Sequence, residues 1–314
     1  MSSKSLYGMK LIDYDSIILY YLPTILRSAS MIHHPQKYFL FSVDLEDVRN
    51  RMSDGHRYEE RVPLMTQRYL QFLDRYKMKA TFFIVGDVAK KYPQLVQSIV
   101  QAGHEVGCHT NKHVPLTQQT KESFRADLDE NMGFLFKAGV KALYGFRAPV
   151  FSLTEKTEWA YEVLAELGFT YSSSVLPAKN PLYGWEKFGR DFKLIQNTLW
   201  ELPITLYPKY FSLPCAGGVY LRMLPFWMTK KAFEHYGNRG LPVLSYFHPY
   251  DIDSEEKPFM FPDANNSRIF NQLMYINRKS VLKKLEKIIK SGWEIIPYHE
   301  YVTQHLEVSS VKTI

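Results

Sequence analysis

Short apolar segments alternate with helical segments along most of this chain, and this order limits the fold more than any other feature. The apolar segments, which we interpret as buried strands, are residues 37–44, 79–86, 104–109, 144–149, 169–175, 199–206, 242–249 and 293–298. Apolar residues recur at helical spacing in residues 61–77, 93–103, 120–138, 154–167, 226–237 and 278–291. Strands that alternate with helices form parallel sheets covered by those helices. The order therefore predicts an α/β protein.

A closed or nearly closed β/α barrel suits the polar residues better than an open doubly wound sheet. Polar candidates follow several different strands, and in a barrel the carboxyl ends of all strands surround one mouth. In an open sheet they would spread along an edge. We expect a single domain at 37–300, between an N-terminal extension (1–36) and a C-terminal tail (301–314). Two stretches without a clear period, 177–197 and 207–225, are expected to be irregular excursions near the cleft.

The composition excludes several classes of protein. The chain has 39 basic and 32 acidic residues, but the basic residues are scattered, so we do not expect nucleic-acid binding. Two cysteines, Cys108 and Cys215, do not make a disulfide framework. The run 17–22 is too short to span a bilayer, and we expect it to pack on the domain, with attachment to a membrane surface as the alternative. The N-terminus lacks a secretory leader pattern, which predicts a cytoplasmic protein.

Two groups of candidate metal ligands follow the first and third predicted barrel strands. Asp44 and Glu46 are two residues apart, so in an extended chain they point to one side, whereas Asp47 would face elsewhere. His109 and His113 have a spacing that one helical turn would bring together. Two imidazoles and a carboxylate suit zinc and neighbouring divalent metals. The alternative interpretation is a helix-capping acidic cluster and an unrelated pair of histidines.

Further polar candidates follow later strands. Arg147 could hold a carboxylate by two hydrogen bonds, and Glu201 is one candidate partner. Trp200 could form the wall of a sugar pocket, although core packing explains it equally well. His248 can donate a proton to a leaving nitrogen near neutral pH, or can be a buried structural histidine. His104 lies at the start of its strand, at the opposite end of the barrel, and is expected to be structural.

The order of these motifs resembles a known family. Asp-x-Glu, His-x-x-x-His, Arg-x-Pro, Trp-Glu-Leu-Pro and His-Pro occur in that order, from about Tyr38 to Tyr298. This order is similar to that of polysaccharide deacetylases with the nodulation-factor deacetylase homology domain, carbohydrate esterase family 4. The segment 124–152 resembles a branch associated with bacterial exopolysaccharide and surface-glycan assembly.

The resemblance implies a distorted (β/α)7 barrel and assigns roles to the candidates. It implies that Asp44 is the catalytic base, oriented by Arg147, and that His248 is the general acid. It implies a divalent metal, for which we predict Zn²⁺, bound by His109, His113 and an acid. That acid usually follows the base directly, whereas here Glu46 is displaced by one residue and Asp47 is the alternative.

We predict four substrate-binding residues: Pro149, Val150, Trp200 and Glu201. Val150 replaces an aromatic residue of the family pattern, so a ring contact with sugar is lost, while its backbone N–H can still bind an oxyanion.

We therefore expect a metal-dependent hydrolase that removes N-acetyl groups from a bacterial polysaccharide or glycan precursor and releases acetate. The expected partner is the N-acetylated glycan. Peripheral association with a membrane or a glycan-assembly complex, and formation of a homo-oligomer, are left open. One alternative is hydrolysis of a small cyclic amide or ureide on the same fold. Another is a non-catalytic glycan-binding subunit.

Overall fold

The computed structural model of the protein describes residues 36–180, 183–196, 198–208, 212–264 and 266–307. Most of the predicted N-terminal extension, including the run 17–22, lies outside the described residues, as does the end of the predicted tail from residue 308. The proposed domain boundaries at residues 36 and 300 therefore stay predictions. No helix in the described part of the chain combines the length and apolar character needed to cross a membrane.

In the described part of the chain, ten short strands form the sheet framework. They are β1 (Lys37–Leu40), β2 (Ser42–Leu45), β3 (Thr81–Ile84), β4 (Glu105–Cys108), β5 (Gly145–Phe146), β6 (Tyr171–Ser172), β7 (Lys193–Ile195), β8 (Leu199–Glu201), β9 (Val243–Leu244) and β10 (Trp293–Ile295). One sheet has the order β2-β3-β4-β5-β6-β8-β7, and the other has the order β10-β1-β9. All pairings are parallel except that of β7 with β8.

The two sheets meet at the first two strands, which follow one another with a single residue between them. Past the end of β9, Phe247 accepts a hydrogen bond from the Asp44 N–H (2.7 Å) and donates its own N–H to the Ser42 carbonyl (3.0 Å). The chain after β9 therefore extends the pairing along β2. No ladder of hydrogen bonds joins β8 to β9 among the residues described, so the barrel is distorted on that side.

Helices cover the outer face of this framework. They are α1 (Val62–Arg75), α2 (Gly86–Lys91), α3 (Pro93–Gln101), α4 (Lys121–Lys137), α5 (Ala160–Glu166), α6 (Gly218–Met223), α7 (Phe226–Gly237), α8 (Arg268–Leu273), α9 (Val281–Lys290) and α10 (Tyr298–Tyr301). In α4, Thr120 and Ser123 form a reciprocal capping box. In α9, Val281, Leu285 and Ile288 make one buried stripe.

Alternation along β2 separates the core from the site. Val43 and Leu45 belong to the large apolar cluster that also contains residues of α1, α3 and α9. Ser42 and Asp44, on the opposite face of the strand, are buried polar residues. Because successive side chains of a strand point to opposite faces, the outward side chains pack against the helices, while the inward side chains can take part in a functional site.

Several predicted elements differ from the structure in extent. The predicted strands 144–149 and 199–206 shorten to β5 and β8, since Pro149 and Pro203 lack an N–H for a ladder. The excursions are less irregular than expected, because 177–197 contains β7 and 207–225 contains α6. The predicted helix 154–167 is a 3-10 turn, Glu155–Thr157, followed by α5.

His104 gives the fold a testable pH dependence. It is buried at the start of β4, where its Nδ1 accepts a hydrogen bond from the Ala80 N–H (3.2 Å). Burial lowers the pKa of His104 from 6.5 to about 4, so between these values the unfolded chain binds a proton that the folded chain does not. The free energy of unfolding should fall as pH decreases through this window.

We expect His104→Gln to remove this dependence. The wild-type protein should lose about 2 kcal/mol more unfolding free energy than the variant between pH 7 and pH 5. Urea unfolding of both proteins at the two pH values measures the difference. Equal losses in the two proteins would show that His104 is not held neutral by the fold.

Candidate active site

The candidate residues lie where parallel strands end. Asp44 belongs to β2 and Glu46 follows it, His109 follows β4, Arg147 follows β5, and His248 lies beyond β9. Asp44, Glu46, His109 and Arg147 are buried, and the His248 side chain is 16% exposed. The carboxyl ends of parallel strands share one edge of a sheet, so the fold places these residues on one rim.

Arg147 fixes the position of Asp44. Its Nη1 donates hydrogen bonds to Asp44 Oδ1 (2.7 Å) and Ser42 Oγ (2.6 Å). Its Nε donates to the Ser173 carbonyl, and its Nη2 donates to Ser173 Oγ and Tyr298 Oη, at 3.0–3.1 Å. All five guanidinium N–H groups are thus used, and the side chain is fully buried. The arrangement holds the Asp44 carboxyl group at the rim by a hydrogen bond from the buried guanidinium.

His109 is oriented by the backbone of Arg147. Its Nδ1 lies 2.7 Å from the Arg147 carbonyl oxygen. A carbonyl can only accept a hydrogen bond, so Nδ1 carries the proton and Nε2 presents its lone pair. Burial lowers the pKa of His109, which favours this neutral form. Histidines that bind metals commonly donate their other N–H to a carbonyl in this way.

The turn that brings His113 beside His109 is not helical, so the physical reason that we inferred from their spacing is wrong. Thr110 and His113 have positive φ angles of 64° and 55°. The His113 N–H donates to Thr110 Oγ1 (3.1 Å), and the Asn111 N–H donates to Asp127 on α4 (2.6 Å). The two imidazole centres are 5.0 Å apart with their planes at 70°. A strained turn anchored on α4 therefore brings the two imidazoles together, where a helical turn was expected to do so.

Glu46, rather than Asp47, faces these histidines. Glu46 Oε2 lies 3.1 Å from His113 Nε2, and Oε1 lies 3.6 Å from His248 Nε2. Both oxygens of Asp47 instead contact the Arg49 guanidinium, and Asp47 Oδ1 also accepts from the Arg49 N–H. The Asp47 carboxylate thus caps a short 3-10 turn and points away from the histidines.

The charge states around Glu46 suit a cation. Burial opposes ionisation of Glu46, but His113, Arg51, His248 and His109 outweigh it and lower the pKa of Glu46 to about 2. Burial also lowers the pKa of His113 to about 4, although Glu46 acts in the opposite direction. At neutral pH the group therefore contains one carboxylate and two neutral imidazoles, which are the protonation states that a metal ion requires.

This donor set fits a divalent ion in chemistry but does not form a closed coordination shell. Among the residues that the structure describes, no group of three or more His, Cys, Asp or Glu side chains is arranged to hold a metal ion as it stands. His113 contacts Glu46 on one side and the His109 ring on the other. These three residues would have to adjust to bind an ion together, so metal binding and its identity as Zn²⁺ stay predictions.

His248 is held by a second carboxylate that we did not anticipate from the sequence. Its Nδ1 lies 3.2 Å from Asp251 Oδ2, and Asp251 Oδ1 lies 3.1 Å from Arg222 Nε. Burial opposes protonation of His248, but Asp251, Glu46 and Asp44 outweigh it, so the pKa of His248 is raised. The His248 ring also stacks on Tyr250, with centroids 4.6 Å apart. These contacts leave Nε2 facing the rim as a proton donor.

Glu201 is placed differently from our expectation, whereas Trp200 matches one of the two alternatives stated for it. Glu201 does not pair with Arg147; its Oε1 accepts the backbone N–H groups of Ser174 and Val175, and it is completely buried. Trp200 is partly buried against the apolar cluster that includes Tyr171 and Leu202, which is the core-packing alternative. Leu199, Trp200, Glu201 and Leu202 do not alternate regularly between apolar and polar residues, so the direction of these side chains was ambiguous from the sequence.

Pro149 and Val150 follow Arg147 in a strained turn. Pro149 is buried, and Val150 and Phe151 have positive φ angles of 49° and 54°. Such angles are unusual for a β-branched residue, and strain of this kind is concentrated at functional sites. The Phe151 ring packs edge-on against Tyr246, at 4.9 Å. An aromatic side chain is thus present one residue after the position where the family pattern expects it.

Five residues of this network escaped the sequence interpretation: Ser42, Ser173, Arg222, Asp251 and Tyr298. Only Asp251 carried a usable signal, because it follows His248 by three residues within His-Pro-Tyr-Asp. The others are distant in sequence from the groups that they contact.

The chain matches two family models. Residues 54–172 match the polysaccharide deacetylase family, and residues 173–296 match a domain of unknown function named DUF3473. A peptidoglycan-N-acetylglucosamine deacetylase of Bacillus cereus is 34% identical over 130 residues, 41% of this chain and 55% of that protein. A chitooligosaccharide deacetylase of Sinorhizobium fredii is 42% identical over 55 residues, 18% of this chain and 26% of that protein. The chain thus spans about half the length of the first relative and less of the other.

Two solved structures share the fold. A protein assigned as a polysaccharide deacetylase from Mycobacterium smegmatis has a TM-score of 0.61 at 17% identity, over 90% of this chain and 94% of its own. The allantoinase Puue has a TM-score of 0.54 at 13% identity, over 87% of this chain and 93% of its own. At these identities the likeness concerns the fold alone, and it confirms the predicted α/β fold of the distorted (β/α)7 barrel class.

Proposed function

We propose that this chain is a polysaccharide deacetylase of carbohydrate esterase family 4, which hydrolyses N-acetyl groups of amino sugars and releases acetate. The observation that carries the proposal is that three charged or polar pairs share one rim: Asp44 with Arg147, Glu46 with His113, and His248 with Asp251. These pairs supply a base, a cation site and an acid, the groups that hydrolysis of an amide requires. The proposed partner is an N-acetylated bacterial glycan or its precursor.

Glu46, His109 and His113 would hold a divalent ion, for which we propose Zn²⁺. When bound, such an ion supplies Lewis acidity towards the acetamide oxygen and acidifies a water molecule. The chain provides the protonation states for this role without further change, because Glu46 is ionised and both imidazoles are neutral.

Asp44 is the proposed base. The carboxylate is held by the Arg147 guanidinium, so it stays at the rim and accepts the proton of the attacking water. The water oxygen then forms a bond to the carbonyl carbon. The N–H of Val150, in the strained turn after Arg147, is the proposed backbone donor to the resulting oxyanion.

His248 is the proposed acid. Its raised pKa keeps the imidazolium available near neutral pH, and Asp251 holds its Nδ1 so that Nε2 delivers the proton. The C–N bond breaks as the nitrogen is protonated. The products are acetate and an amino sugar, which gains a positive charge when the freed amine takes up a proton.

The proposal is tested by comparing two substrate classes on the purified protein. We expect acetate release from N-acetylglucosamine oligomers or peptidoglycan fragments, and no ring opening of a cyclic amide or ureide. Acetate is measured by an enzyme-coupled assay and ring opening by loss of ultraviolet absorbance. Turnover of the cyclic compound without acetate release would replace the proposal with the cyclic-amide alternative.

A further inference from the structure

A large apolar cleft adjoins the proposed acid. Its volume is about 500 Å³, and Tyr246, His248, Tyr250 and Asp251 form the part of its wall nearest the site. A cleft of this size accommodates a group the size of a small-molecule ligand. Because the cleft and the site share these residues, a group bound in the cleft lies next to the atoms that react at His248.

Apart from the Tyr220 hydroxyl, the side chains of the remaining wall of the cleft are hydrocarbon-like. The wall includes side chains from α6, α8 and the loops beside them: Val219, Met223, Phe261, Phe270, Leu273 and Met274. The charged groups of the wall, His248 and Asp251, are already bonded to each other, and Asp251 also contacts Arg222. Sugar hydroxyls buried here would lose hydrogen bonds with water and regain few, which disfavours an oligosaccharide as the occupant.

The aromatic rings in the cleft pack against neighbouring rings and do not form an open surface on which a sugar could stack. Tyr250 stacks on His248, and the Arg278 guanidinium lies 5.7 Å from the Tyr250 ring centre. The ring of Phe261 meets the edge or face of Tyr250, Phe259 and Tyr275 at 4.7–5.5 Å. Stacking of a pyranose on these rings would require the packing to be broken.

The outer rim of the cleft is apolar and open to solvent. Phe270 is 64% exposed and Met223 is 44% exposed. Exposed apolar side chains that continue into an apolar cleft are typical of binding sites for apolar groups. Methionine side chains are unbranched and flexible, so Met223 and Met274 can adapt to a chain of variable conformation.

We infer that this cleft binds a hydrocarbon chain carried by the amino-sugar part of the substrate, so that the substrate class is a lipid-linked N-acetylated amino sugar. His248 donates its proton to the amide nitrogen, and this nitrogen stays with the sugar when the C–N bond breaks. The sugar side of the amide therefore lies next to His248, and the cleft beside His248 is on that side. The inference rests on the proposed function, because it uses His248 as the acid.

Binding and hydrolysis of three compounds test the inference. They are the methyl and octyl glycosides of N-acetylglucosamine, below the micelle concentration of the latter, and the methyl glycoside of N-octanoylglucosamine. We expect calorimetry to give about tenfold or tighter binding of the octyl glycoside than of the methyl glycoside, since several methylene groups leave water. Phe270→Glu, on the wall, should remove this gain. Ile269→Glu is the matched control, since Ile269 is 74% exposed on the same helix and does not line the cleft.

Each outcome decides the inference. A gain with the octyl glycoside that Phe270→Glu removes and Ile269→Glu retains supports it. Equal binding of the methyl and octyl glycosides, or a gain that only the N-octanoyl compound shows, overturns it. Acetate release from the two N-acetyl compounds is recorded separately, so a protein that binds the octyl chain without releasing acetate contradicts the proposed function and not the apolar site.

Discussion

Asp44→Asn is expected to lower the rate of acetate release by about 10²- to 10⁴-fold, the usual range for loss of a general base. The Asn side chain keeps an oxygen that can accept the Arg147 hydrogen bond, so the rim should retain its shape. It cannot accept the proton of the attacking water. The measurement is the initial rate of acetate release from an N-acetylglucosamine oligomer, with folding checked by circular dichroism.

Asp47→Asn is the matched control for this variant. Asp47 is three residues after Asp44 and is also buried, and both of its carboxylate oxygens accept hydrogen bonds from the Arg49 guanidinium. Asn is a good capping residue, so the short turn that Asp47 begins should persist. We expect Asp47→Asn to keep acetate release within a few-fold of the wild type. Asp44→Asn also leaves Arg147 without a buried counter-charge, so its melting temperature should fall. Full activity of Asp44→Asn would remove Asp44 from the role of base.

Glu46→Gln is expected to weaken ion binding strongly and, with it, to lower acetate release. The variant removes the carboxylate that contacts His113 and faces His248, and it leaves two neutral imidazoles as the donors. Loss of one of three ligands should weaken the affinity for a divalent ion by at least about 100-fold, since even loss of an outer-shell partner commonly weakens it 10- to 100-fold. Elemental analysis of the purified variant, beside an acetate assay, measures both effects.

Asp47→Asn also serves as the comparison for Glu46→Gln. If Glu46 is the acidic ligand, Asp47→Asn retains the ion content of the wild type. Loss of the ion from Asp47→Asn with retention in Glu46→Gln would reverse the assignment and require the Asp47–Arg49 pair to open. This comparison distinguishes the two acids that the sequence left as alternatives.

The sequence predicted the residues whose placement depends on strand geometry alone. Asp44 and Glu46 reach the same rim, as their spacing predicted, although the Glu46 N–H donates to the Asp44 carbonyl (3.2 Å), so the chain turns between them instead of staying extended. His109 lies near Asp44 and Arg147 because carboxyl ends of neighbouring parallel strands meet. His104 was predicted to be structural because it lies at the start of its strand, away from the carboxyl ends. The structure places it buried at that end of β4.

Other features depended on tertiary contacts that no local pattern shows. His113 reaches His109 through left-handed residues and an anchor on Asp127, although the spacing suggested a helical turn. Glu201 turned away from Arg147 because backbone N–H groups after β6 satisfy it. The partners of Arg147 include Ser173 and Tyr298, which are 26 and 151 residues away in the chain.

We propose that a divalent ion bound by Glu46, His109 and His113 is required for Asp44 and His248 to hydrolyse an N-acetylated amino sugar. The most direct measurement is acetate release by one preparation before chelation, after chelation and dialysis, and after return of Zn²⁺, with the ion content determined at each stage. We expect activity to disappear and return in proportion to about one bound ion per chain. Undiminished acetate release from a preparation that contains no metal would contradict the claim.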